Sequence, residues 1–106
     1  IHQTSSTQVI HGTGGFRIGI CGILLVSAHA QGLSIKEGLG TVCAGGQRPL
    51  IGSIRVDDSV VTAASGGFST VAPSPWLTTQ ATQNNICVMQ TGTGTVSGVI
   101  TWRPVP

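Results

Sequence analysis

Charge is what this chain has least of. Charged residues fill 8% of its 106 positions, against roughly 25% in ordinary soluble domains. Five basic and three acidic side chains serve a whole surface, so solubility rests on Ser, Thr, Gln and Asn. Such a surface repels neighbours weakly and tolerates close packing, which suits a subunit of an assembly. The net charge of +2 is small, and Arg17, Lys36, Arg48, Arg55 and Arg103 are scattered along the chain. With two Phe, two Trp and no Tyr to stack bases, the balance argues against nucleic acid as a partner.

Long apolar runs are missing too. The longest, Ile18 to Ala28, is broken by Gly19, Gly22 and Ser27 and falls short of the ~20 residues that cross a bilayer. No membrane partner is expected. The polar first residues, Ile1 to Gln8, carry no basic block ahead of an apolar one, so no signal peptide is read there. Three cysteines, Cys21, Cys43 and Cys87, show no C-x-x-C spacing, and His2, His11 and His29 lie apart. No metal and no cofactor is expected from such a set. Each Cys sits in or beside an apolar strand, where a thiol acts as a small hydrophobe. Three free thiols are the expectation; should one bridge form, Cys21–Cys43 is the first choice.

Catalytic arrangements fare no better. Ser65 precedes Gly66-Gly67 but lacks the Gly two positions earlier that a nucleophile elbow requires. Cys43 with His29 or His11 has no third residue to orient it. Gly92, Gly94 and Gly98 miss the dinucleotide spacing and lead into a strand rather than a helix. Asp57-Asp58 reads as a turn cap, not an acid/base pair or a Ca²⁺ loop. The chain is not expected to be an enzyme.

What is present is β structure. Gly or Pro recurs too often for a long helix, and β-branched residues outnumber Glu, Lys and Met. Strands are expected at Thr7–His11, Phe16–Ser27, Leu33–Glu37, Thr41–Cys43, Leu50–Val56, Ser59–Ala63, Asn85–Gln90 and Gly94–Arg103. The last two, joined by Thr91-Gly92-Thr93-Gly94, read as a hairpin. In the second of them Val96, Gly98, Ile100 and Trp102 share one face, with Val99 the apolar exception opposite. In Phe16–Ser27 the even positions Phe16, Ile18, Ile20, Leu24 and Val26 are taken as inward. With Ile35, Ile54, Ile86 and Val88, these residues make the expected core. Residues 65–83 read as the longest irregular stretch, where Trp76 and Leu77 either cover the open end of the core or contact a neighbouring subunit.

About eight short strands with Gly-rich turns mean an all-β fold, a β-sandwich or jelly roll, in one domain. The domain is expected to span 16–106 behind an N-terminal arm, 1–15. The arm either leaves the body or supplies, at Thr7–His11, the sandwich's first strand. As a free arm, its Ile1, His2, Gln3, Val9, Ile10 and His11 would bind a partner's sheet edge.

Several segments together resemble the small β-sandwich structural proteins of tailed bacteriophages and prophages, the head decoration (cement) proteins and trimeric fibre tips. They are Arg17-Ile18-Gly19-Ile20-Cys21, Ser34 to Cys43, Ser65-Gly66-Gly67-Phe68, Asn85-Ile86-Cys87 and Gly94 to Trp102. The chain departs from that pattern at Ser65, where Asn is usual, and at Trp102, where Tyr is more frequent. The resemblance covers about residues 16 to 103. It implies a jelly-roll-like sandwich, homotrimeric assembly and attachment to major capsid protein subunits on the virion surface, after assembly in the host cytoplasm. A receptor-binding fibre tip or lectin-like glycan binder is the alternative.

Overall fold

A computed structural model describes residues 1–51, 60–62 and 65–106. Among these residues ten strands occur, in the order β1 (His2–Gln3), β2 (Thr7–Ile10), β3 (Arg17–Ser27), β4 (Gln31–Leu39), β5 (Gly45–Ile51), β6 (Val60–Thr62), β7 (Gly66–Val71), β8 (Leu77–Thr78), β9 (Asn85–Gln90) and β10 (Val96–Val105). They form two antiparallel sheets. Sheet A runs β1-β10-β3-β7, with β8 also on β3; sheet B runs β2-β9-β4-β5, with β6 also on β4. Successive strands β1/β2, β3/β4 and β9/β10 divide between the sheets, which is the strand order of a jelly roll. Its eight positions are filled by ten strands because one edge of each sheet is built from two short pieces.

The core lies between the sheets. Sheet A contributes Ile18, Ile20, Ile23, Leu25 and Val96, and sheet B contributes Ile10, Leu33, Ile35, Ile86 and Val88. Each buried side chain of this size is worth about 1.5–3 kcal/mol before chain entropy is subtracted. Six expected core residues, Ile18, Ile20, Ile35, Ile86, Val88 and Val96, are buried. Ile100 is half-buried against the core, while Phe16, Leu24, Val26 and Trp102 are exposed. Ile54 and Asp57-Asp58 lie outside the described residues.

A β-bulge accounts for Leu24 and Val26. Thr101 pairs with Gly22 but Trp102 pairs with Ile20, so Cys21 is an extra residue in β3. An extra residue inverts the alternation beyond it. Inward positions are therefore even up to Ile20 and odd from Ile23 onward, and Leu24 and Val26 turn outward.

The expected hairpin is corrected as well. β9 lies in sheet B and β10 in sheet A, so Thr91–Thr95 crosses the top of the sandwich. Thr91 exchanges bonds with Gly32 of β4: its N–H donates to Gly32 O at 3.0 Å, and Gly32 N–H donates to its Oγ1 at 2.8 Å. Thr95 O accepts from Ala28 N–H at 2.9 Å, just past the end of β3. A strand with one apolar face can satisfy it across a core as well as beside a neighbour, and the pattern alone does not separate the two.

The N-terminal residues form no detached arm here. β2 pairs with β9 and β1 pairs with β10 through His2↔Ser97 and Gln3↔Val96. Of the two readings of Thr7–His11, the structure takes the one that makes it a sandwich strand. Two β7–β8 strands stand in the stretch expected to be irregular, and Thr41–Cys43 is a turn rather than a strand. Cysteine pairing differs too. Cys43 and Cys87 are bridged, with Cα atoms 6.1 Å apart, and Cys21 is the free thiol.

Candidate functional site

The outer faces of the two sheets are unlike. On sheet B, eight successive residues of β4, Gln31 to Gly38, are buried, so this strand is covered on both sides. Leu33, Ile35 and Glu37 share the inner face with Val88 and Ile86 of β9, and Ser34, Lys36 and Cys87 share the outer one. The turn through Gly40–Cys43 folds over that outer face and is tied to it by the Cys43–Cys87 bridge. Thr41 O also accepts from Gln8 N–H at 2.8 Å, and Gly40 O from the Asn85 amide at 3.1 Å. Lys36 donates to Gln47 Oε1 at 2.7 Å, and burial lowers its pKa from the usual 10.5.

Among the described residues, none folds over the outer face of sheet A in this way. The registers of β10, β3 and β7 place three cross-strand rows on its outer face. They are Ser97–Val26–Gly67, Val99–Leu24–Ser69 and Thr101–Gly22–Val71. None of the nine residues is charged. Val71 is 86% exposed, Val99 61%, Leu24 48% and Val26 41%. Gly22, with no side chain, floors a concavity of about 450 Å³ walled by Leu24, Val71, Val99 and Thr101. Contiguous apolar surface of this kind marks a contact site more often than it stands bare. The bulge at Cys21 makes the patch, since without it Leu24 and Val26 would point into the core.

The residues proposed from sequence as contact points do not gather into one site. The Ile1 nitrogen donates to Gly98 O at 2.8 Å, and Gly98 N–H returns a bond to Ile1 O at 3.1 Å. Ile10 is buried, and Ile1 and Val9 pack against the core. Gln3 is buried with its amide nitrogen donating to Ser5 O, Val88 O and Gln90 Oε1. His2 and His11 are exposed. On the far edge of sheet A, Leu77 pairs with Ile20 and packs against the core, while Trp76 stays 42% exposed. Trp102, expected in the core, is exposed to the same degree beside a small niche that Ile1, Val9, Ile10 and Ile100 help line.

Two buried polar clusters hold the loops at the ends of the sandwich. Glu37 is fully buried. Its carboxylate accepts from Gln80 N–H at 2.8 and 3.0 Å and from the Asn84 amide at 2.8 Å, which fixes the loop after β8. At the opposite end Gln90 donates to Gln31 Oε1, Gly92 O and Gly94 O, and Gln31 donates to Ser27 Oγ and Gly94 O. These side chains are consumed by the fold. Among the described residues, no three His, Cys, Asp or Glu converge as metal ligands would.

Sequence reasoning passed over Leu24, Val26 and Val71 as contact residues. Only Val99 signalled outward apolar surface, by breaking the alternation of its strand. No family model matches the chain, and neither does a curated protein or a solved structure.

Proposed function

We propose that this chain is a structural subunit of a virion, a capsid decoration (cement) protein that binds as a homotrimer across neighbouring major capsid protein subunits. The observation that carries the self-assembly in this reading is the charge-free, apolar outer face of sheet A on a chain with very few charges. Monomeric soluble proteins rarely leave such a face uncovered. The jelly-roll strand order supports the reading, because viral capsid domains are among the proteins built on it, and so does the resemblance of residues 16 to 103 to phage structural proteins. The strand-donating arm drops out of the proposal, since β1 and β2 are already paired within the sandwich.

Multi-angle light scattering at micromolar concentration tests the assembly. A trimer has a mass of about 32 kDa, three times the 10.8 kDa chain; a monomer mass that persists on concentration refutes the reading. Mass spectrometry of purified particles tests the position, with many copies per particle expected. A few copies would favour the second reading, a fibre tip or lectin-like glycan binder. That reading draws on Trp76 and Trp102, each 42% exposed and so accessible for stacking on a sugar.

A further inference from the structure

We infer that the outer face of sheet A is the contact between copies of this chain, with Leu24 and Val99 of one copy seated against the Gly22 concavity of the next. The inference rests on the reading of the chain as a self-assembling subunit and names the surface that would do it. Three observations favour a second copy as the occupant.

The first is chemical. The nine residues of the three rows, centred on Leu24, carry no charge, so a charged partner finds nothing there to pair with. An apolar surface of the same kind is the fitting complement, and this face is itself one. The second is relief. Gly22 is a dent and Leu24, two residues along the same strand, is a knob, with Val71 and Val99 standing at the sides. Dent and knob on one surface suit a heterologous contact between identical copies, in which each copy gives its knob to one neighbour and takes the knob of the other into its dent. In a ring of three, the knob of every copy meets the dent of its neighbour.

The third is area. The molecule measures 38 × 30 × 21 Å, and two stacked sheets with their outer side chains account for the thin dimension. The broad sides are therefore the outer faces of the sheets. A standard interface takes about 800 Å² from each partner, and a copy in a ring of three makes two of them, together roughly three-tenths of the 5411 Å² surface, which a broad side comes nearer to supplying than an edge does. Sheet B's equivalent side is already occupied by the disulfide-tied turn.

Val99→Asp and Val71→Asp test this, with Leu39→Asp as control. All three side chains are more than half exposed, and Leu39 sits on sheet B. Each variant is checked for wild-type circular dichroism and melting temperature, then sized by light scattering over a concentration series. The expected result is a trimer for the wild type and Leu39→Asp, and association weakened about 100-fold or more for the other two, because each would bury an unpaired carboxylate. Folded Val99→Asp and Val71→Asp proteins that still form trimers would overturn the inference while leaving the assembly reading intact. Dissociation of Leu39→Asp as well would also overturn it, by showing that the effect is not specific to this face. A monomeric wild type would refute both.

Discussion

Opening the Cys43–Cys87 bridge is the most informative perturbation of stability, because its cost can be worked out from the fold. The two residues are 44 apart in sequence, and closing a loop of that length in the unfolded chain is worth about 4 kcal/mol on the chain-entropy model. The folded state should change little. The turn keeps its bonds from Gln8 N–H to Thr41 O and from the Asn85 amide to Gly40 O, so the loss falls mainly on the unfolded side. For 106 residues the unfolding entropy is about 0.2 kcal/mol/K, which converts 4 kcal/mol into a melting temperature lower by about 15–20 °C. Reduction, or Cys87→Ala, opens the bridge. Cys43 has a φ of 54°, a left-handed conformation whose cost comes from the Cβ and is therefore unchanged by opening the bridge. Circular dichroism melts with and without reductant read the shift, and thiol counting in denaturant without reductant should find one thiol, Cys21. Three thiols would mean that the bridge does not form. One thiol with melts within about 3 °C of each other would refute the entropic reasoning.

Leu25→Ala should cost about 2–5 kcal/mol because Leu25 is fully buried, while Leu24→Ala at a 48% exposed position should cost less than about 1 kcal/mol in the dissociated protein. Urea melts of the pair at low concentration would reverse that order if β3 ran without its bulge. Glu37→Gln should destabilise by about 2–3 kcal/mol, since Oε2 accepts from both Gln80 N–H and the Asn84 amide while Oε1 accepts from Gln80 N–H alone, so an NH₂ in place of Oε1 sets a donor against that N–H and one in place of Oε2 loses the Asn84 bond. An unchanged urea midpoint would show that the carboxylate does not fix the loop after β8.

Much of the fold was legible from residue types alone. Asn85–Gln90 is a short apolar run between polar ends, and Val96–Trp102 alternates apolar with polar or small residues except at Val99, patterns that mark strands packed on a core wherever their partners lie. Frequent Gly and Pro excluded long helices, and the scarcity of charge pointed to a surface suited to assembly. The remainder depended on pairing across the chain. In Ile23-Leu24-Leu25-Val26 every residue is apolar, so the sequence carries no phase; β10, in register with Ile20 and Gly22 but not with Cys21, decides which two point out. β7, in a Gly- and Pro-rich stretch, becomes a strand because β3 offers an open edge to pair with. Cys43 finds Cys87 rather than Cys21 because the turn folds over sheet B, where Cys87 points outward. The candidate site comes from the same source. Composition asks for an apolar contact surface, but where it lies is set by one extra residue in β3, and the effect of that residue is visible only once its neighbouring strand is in place.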